Sequence, residues 1–401
     1  MQHVAHVTPS EPPPLQETQV SRSSASPPPH DSPLQNQPHQ SAKAYSRTKL
    51  IVGIVGTVIF FAYSFAMVAF GGTRLIESGI RSVLSNDYLV FLGFASVFGL
   101  IELILTLPLR YYSGYHLEHK FHLSNQTLIV WFREGVKGMV VGLVIGTPVL
   151  LIFFYCLQTY GEHWWVPVGI AMFLFSVLFA RLAPVLIFPL FYKFQPLADG
   201  SLKSKLIALC KRGGVKIVDV YVFDMSKNTK KANAAFTGIG KSKRILLGDT
   251  LVANCTDEEI ETVVAHELGH HTLNHLWRMM LLGTVTTFAG LWLTAWLYEA
   301  SIEWFGFSSI TQPAALPLLS IWFGIYSILI SPLTNGISRM HEYAADRFAV
   351  RFMQNNEVFL NALRKLSTIN LADPEPPPLV EFWSYSHPPL KKRINAIAEL
   401  R

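Results

Sequence analysis

Glu261-Thr262-Val263-Val264-Ala265-His266-Glu267-Leu268-Gly269-His270 is the stretch on which the reading of this chain turns. Two histidines four apart lie one above the other on a helix, so both imidazoles can hold one metal ion. Glu267, beside the first histidine, can reach a water on that metal without being a ligand itself, which is the arrangement a zinc peptidase needs. Such a motif also occurs by chance in His-bearing helices, so support has to come from elsewhere in the chain.

Composition supplies the first support. Of 401 residues, 50% are apolar and only 15% charged, with a mean hydropathy of +0.31. Soluble domains carry about 25% charged residues. The chain therefore reads as an integral membrane protein. The net charge of +6 does not point to nucleic acid, because Lys and Arg are spread over the loops between apolar runs. Cys156, Cys210 and Cys255 are far apart without CxxC spacing, so neither a disulfide framework nor a cysteine metal site is expected.

Six apolar runs have spanning length: Ile51–Phe70, Leu89–Leu109, Met139–Leu157, Trp165–Phe188, Met279–Leu297 and Ala315–Leu333. Arg181, Pro184 and Pro189 predict a kink in the fourth. Glu102 and Arg181 are charges inside spans, open to a structural or a functional role. Lys43, Arg47 and Lys49 precede the first span, and Arg110, Lys120, Arg133 and Lys137 follow the second; the loops after spans three and five have no Lys or Arg. By the positive-inside rule, both termini and both long polar regions are placed in the cytoplasm.

The expected organisation is a disordered Pro/Ser-rich tail over 1–46, spans one to four over 47–190, and a folded insertion over 191–277. Spans five and six follow over 278–335, then a cytosolic C-terminal segment over 336–401. The tail holds nine prolines and little apolar clustering. No signal peptide is expected, since the first apolar run starts after residue 49. Within the insertion, Lys203–Cys210 reads as helix, and Val218–Phe223, Ala232–Gly238 and Arg244–Leu247 read as strands. Thr256-Asp257-Glu258-Glu259 is a capping-box pattern opening the helix that carries the two histidines, which is expected to run on past His275.

A zinc peptidase needs a third protein ligand. The residues three and six beyond His270 are Leu273 and Leu276. His271 and His275 form a second pair a quarter turn round the helix, and are read as structural rather than as ligands. Glu342 fits better, in Arg339-Met340-His341-Glu342-Tyr343-Ala344-Ala345-Asp346-Arg347. Glu342 and Asp346 are one helical turn apart on one face. Glu342 can ligate zinc while Asp346 accepts a hydrogen bond from a ligand histidine. Two spans separate His270 from Glu342, so the chain crosses and returns to the same side. The alternative is a solvated helix face with Arg339 and Arg347.

From about residue 88 onward the chain resembles the integral-membrane CAAX prenyl protease type 1 family, zinc metallopeptidases of the gluzincin class. The resemblance is carried by Leu117–Thr127, Ala183–Leu197, Asn233–Gly238, Lys243–Leu251, His266–His270, Glu342–Asp346 and Tyr385-Ser386-His387-Pro388-Pro389. It implies one Zn2+ per chain held by His266, His270 and Glu342, with Glu267 as general base. It also implies that His387 lies near the transition-state oxyanion and that Asn233 and Arg393 line the substrate cleft. By themselves, His387 reads as a residue ordering the Pro388-Pro389 turn, Arg393 as one of three consecutive basic residues, and Asn233 as a turn cap. The implied fold is a predominantly α-helical multi-pass membrane protein with a small α+β cytosolic peptidase subdomain. The family has seven spans around a water-filled intramembrane chamber, whereas six are counted here.

The implied partners are the lipid bilayer and a protein or peptide substrate, prenylated or membrane-bound; no nucleic acid is implied. The alternatives are a quality-control protease of membrane proteins and a zinc-bound scaffold without catalysis. An intact Glu267 speaks against the scaffold, because structural zinc needs no base. The short insertion before the histidine helix favours a bacterial inner membrane over the endoplasmic reticulum, with the catalytic side cytosolic.

Overall fold

The computed structural model of the chain describes residues 33–238 and 243–400. Helix α1 (Pro33–Ala69) leads through the short α2 (Gly72–Arg81) to α3 (Asp87–Tyr111), which passes by a π-helical turn into α4 (Leu117–Lys120). Helices α5 (Leu128–Tyr160) and α6 (Trp165–Leu182) follow, and a second π turn over Ala183–Ile187 enters α7 (Phe188–Phe191). That turn stands where Pro184 and Pro189 predict a kink, since each proline removes a backbone donor.

The insertion holds β1 (Phe194–Pro196), α8 (Ser201–Arg212), β2 (Val220–Phe223), β3 (Ala234–Thr237), β4 (Arg244–Gly248), α9 (Asp249–Asn254) and α10 (Asp257–Thr272). Helices α11 (His275–Ile302) and α12 (Leu316–Met353) come next, then α13 (Asn356–Ile369), α14 (Pro378–Ser384) and α15 (Leu390–Ala398). Among the described residues six helical runs are long and apolar enough to cross a membrane: Gln40–Ala69, Asp87–Lys120, Leu128–His163, Trp165–Phe191, His275–Phe305 and Pro313–Met353. They match the six apolar runs and extend beyond them at one or both ends.

Residues 33–46, expected in the disordered tail, belong to α1 instead. Ala42 and Tyr45 are buried, and the Tyr45 hydroxyl donates to Glu118 at 2.6 Å. Lys49 and Lys231 also reach Glu118, at 2.6 and 3.0 Å. One half-buried carboxylate thus gathers three polar groups and gives this end of the helix a partner that composition does not reveal. Residues 1–32, with both proline triplets, lie outside the described residues.

Among the described residues two large apolar cores, beside a small one of Tyr45, Leu117 and Leu123, separate the molecule's work. One lies at the end of the bundle away from α10, built from Phe91, Phe94, Phe154, Leu157, Trp164, Leu291, Tyr298 and Ala314. The other joins the insertion to the C-terminal segment through Leu206, Val220, Leu247, Ile260, Val264, Ala349, Phe359 and Ile397. The three predicted strands form, with β1 as a fourth that sequence reading missed. The sheet order is β1-β2-β4-β3, with β2 and β4 parallel and the outer strands antiparallel. Central β4 is buried over Ile245, Leu246 and Leu247, while β3 stands at an edge. The three cysteines are free.

One helix expected to be continuous is broken. Asn274 adopts a left-handed φ of 55°, ending α10 and starting α11 in a new direction. Conversely, α12 runs unbroken for 38 residues across the expected boundary at 335–336, so span six and the Glu342 segment are one rigid rod.

Candidate active site

The site is made where α10 packs on α12. The capping box forms as read: Thr256 Oγ1 accepts from Glu259 N at 3.3 Å, and Glu259 Oε2 accepts from Thr256 N at 2.8 Å. Lys365 of α13 also donates to Glu259 at 2.8 Å. Ile260, Val264 and Ala265 point into the apolar core and Leu268 is fully buried, which leaves His266 and His270 facing α12. At Gly269 the two helices come close enough that a Cβ would meet Ala345 Cα at 3.2 Å and Phe348 Cδ1 at 3.0 Å. A side chain at 269 would press the histidine face and the Glu342 face apart by a few tenths of an ångström.

Glu342 is buried at 5% exposure and Asp346 at 2%. One ligand atom from each of His266, His270 and Glu342 falls within 4.8 Å of the others. The two Nε2 atoms are 3.1 Å apart; Glu342 lies 3.4 Å from that of His266 and 3.2 Å from that of His270. Among the described residues Glu342 Oε2 has no hydrogen-bond partner despite its burial. A buried carboxylate with one oxygen facing His266 Nε2 and the other His270 Nε2, the first of them unpaired, is costly without a cation between them. The donor set, two imidazoles and a carboxylate, is that of a catalytic zinc site.

The surrounding charges favour a cation too. Burial pushes His266 toward its neutral form, but the carboxylates of Asp346 and Glu342 outweigh burial and raise it to about 9. Asp346 Oδ1 sits 2.9 Å from His266 Nδ1, a close but bent contact. Burial also raises the Glu267 carboxyl, against the opposing pull of His266 and His270.

Other expected site residues converge on one cavity of ≈ 510 Å³, lined by Asn233, His266, Glu267, His270, Glu342 and His387 among others. His387 brings its Nε2 within 3.4 Å of Glu342 Oε1 and stays well exposed. Asn233 precedes edge strand β3, and its carbonyl accepts from Gly248 N at 2.9 Å. Arg393 also borders the cavity, but its guanidinium is spent on Asp346, with Nε at 2.7 Å and Nη2 at 2.5 Å. The structure therefore keeps Arg393 at the cleft, as the resemblance implies, but turns its guanidinium onto the buried Asp346 carboxylate. A doubly bonded, largely buried guanidinium is the stable partner for a carboxylate that must face an imidazole.

The placement of His387 rests on residues that sequence reading passed over. Pro332 inside α12 cannot donate to the carbonyl of Ile328. Trp383 Nε1 of α14 takes that carbonyl at 3.0 Å, and Asn335 Nδ2 donates to Trp383 O at 2.7 Å. Arg339, which the alternative reading places on a solvated face, donates to Glu381 O at 3.0 Å and Tyr385 O at 2.5 Å. A proline in a span followed by an indole in the C-terminal segment was the available signal. His271 stands apart from the ligands, its ring 5.3 Å from Phe236.

Residues 196–401 match the description "Peptidase family M48", and residues 16–193 match "CAAX prenyl protease N-terminal, five membrane helices". The chain belongs to peptidase family M48. It is 30% identical to CAAX prenyl protease 1 of Saccharomyces cerevisiae, over 92% of this chain and 88% of that one. It is 29% identical to the uncharacterized metalloprotease YhfN of Bacillus subtilis, over 88% and 84% of the two chains. The crystal structure of S. mikatae Ste24p superposes with a TM-score of 0.82 at 28% identity, covering 92% of this chain and 91% of that chain. The chain is thus a membrane-embedded metalloprotease, and its family implies a metal ion. Within the range matching the N-terminal description, four of the span-length helices lie among the described residues.

Proposed function

We propose that this M48 peptidase is a zinc endopeptidase that cuts C-terminally prenylated CAAX-type proteins at the cytosolic face of its membrane. The observation that carries the reading is the convergence of His266, His270 and the unpaired Glu342 oxygen at the floor of a cavity that Glu267 also lines. The substrate class is supported by the relatives named CAAX prenyl protease 1, and the cytosolic side by the distribution of Lys and Arg. The compact insertion supports a bacterial inner membrane, which fractionation of the source cells tests directly.

His266, His270 and Glu342 would hold the ion, and Asp346, fixed by Arg393, would orient the His266 ring. The ion, when bound, supplies a Lewis acid that activates water and polarises a carbonyl. Glu267 takes the proton from the attacking water, helped by a burial that raises its basicity, and delivers it to the leaving amine. His387, its Nε2 3.4 Å from Glu342 Oε1 and its ring exposed to the cavity, donates to the developing oxyanion. Asn233 and edge strand β3 offer an extended peptide a line of main-chain partners, so the substrate lies as an added strand across the cavity.

The test is cleavage of a farnesylated CAAX peptide, its unprenylated twin and an unfolded membrane protein by wild type and Glu267→Gln, with zinc content measured in both. Cleavage of the farnesylated peptide by wild type alone is expected. Equal turnover by both proteins would sink the catalytic reading, and preference for the unfolded membrane protein would replace the substrate class.

A further inference from the structure

Among the described residues, His266 and His270 are supported by chemically different groups. His266 Nδ1 faces the Asp346 carboxylate. His270 has no carboxylate behind it. Its Nε2 faces His266 and Glu342, so this is the nitrogen kept bare for an ion. A neutral imidazole with a bare Nε2 carries its proton on Nδ1, and an N–H turned toward a buried side chain needs an acceptor there. The atom 3.0 Å from His270 Nδ1 is Nδ1 of His275.

That contact cannot arise from helical spacing. On a continuous helix a residue five further on lies ~140° round the axis, turned away from its predecessor. The left-handed Asn274 redirects the chain, and the first residue of α11 folds back beneath His270. His275 is buried at 4% exposure. Its ring lies parallel to His341 at 4.2 Å and 9°. His341 is the neighbour of Glu342 on α12, so the rod that brings the third ligand also brings the plate on which His275 rests.

We propose that His275 is a positioning residue for the metal site, accepting the Nδ1–H of His270, with His341 fixing the His275 ring by stacking. This rests on the metallopeptidase reading. His275 then carries its own proton on Nε2 and remains neutral, and His270 is held with its Nε2 aimed at Glu342. The two ligand histidines are thereby unequal: the carboxylate-backed His266 is the stronger donor, and the imidazole-backed His270 the weaker one.

The experiment uses the full-length chain in lipid nanodiscs, stripped of metal. Zinc affinity is measured by competition with a chromophoric chelator, and the visible spectrum is recorded after cobalt loading. His275→Leu removes the acceptor and should weaken zinc ~10–100-fold and shift the cobalt bands. His275→Asn places an amide oxygen where Nδ1 stood and should restore affinity to within a few-fold of wild type. His341→Phe keeps the stacking face and should lie near wild type, whereas His341→Ala should fall between the two His275 variants. Wild-type affinity and spectrum in His275→Leu overturn the proposal. So does an Asn variant that folds, by circular dichroism, yet binds as weakly as the Leu variant. A wild-type chain that binds neither zinc nor cobalt overturns the metallopeptidase reading itself, which is a distinguishable result.

Discussion

The two helices that build the site differ in how they are specified. Helix α10 is short and locally encoded: a capping box starts it, an apolar stripe seats it, and left-handed Asn274 stops it. Helix α12 is a membrane span carried on into the peptidase, and the Glu342–Asp346 pair on it announces a ligand far less plainly than the two histidines do. One helix brings chemistry in a motif of its own, and the other brings a single carboxylate by geometry alone. A motif search finds the first kind of residue; the second is found by counting membrane crossings.

That contrast can be attacked residue by residue. Glu267→Gln on α10 should cut turnover ~10²–10⁴-fold while zinc content stays at wild type. Glu342→Ala on α12 should lose the ion itself, read as zinc per chain after dialysis, and His387→Ala should keep the ion and lose rate. Retention of zinc by the Glu342 variant would break the assignment of α12 as the third arm. Asp346→Asn leaves the shape but not the charge that faces His266; zinc affinity should fall ~10–100-fold in chelator competition.

Smaller effects test how the helices meet and begin. Gly269→Ala pushes a methyl group against the Ala345 backbone, and thermal unfolding in detergent should show a loss of ~1–3 kcal/mol, with metal affinity reduced alongside. A destabilisation without any change in affinity would mean that the α10–α12 distance does not set the ligand geometry. Thr256→Ala removes one half of the capping box and should cost ~1 kcal/mol, with zinc binding intact, because α13 still holds Glu259 through Lys365.

Much of this molecule was legible before its structure. Span count follows from apolar length, because a bilayer imposes a minimum of hydrophobic residues on any helix that crosses it. His266, Glu267 and His270 follow from a spacing, and Glu342 from parity. What escaped has a common cause: partners distant in sequence. Residues 33–46 look like tail until Glu118 is seen to gather Tyr45 and Lys49. Arg393 looks free until Asp346 is seen to occupy it. The three-residue β1 is a strand only because β2 lies beside it. The end of α10 escaped for another reason, since an asparagine in left-handed conformation looks in sequence like any polar helix residue.

The ligand triangle also has an order in time. A ribosome delivers the chain from its N-terminus, so α10 and its two histidines emerge while spans five and six are still unmade. Two imidazoles without Glu342 hold an ion weakly, and the carboxylate reaches them only after the chain has crossed the membrane and come back. On the proposed ligand set, metal uptake therefore cannot precede the insertion of spans five and six, and a chain stalled before completing that insertion lacks the third arm of its site. A hydrolase that must be built amid other nascent proteins is kept inert by the route of its own polypeptide.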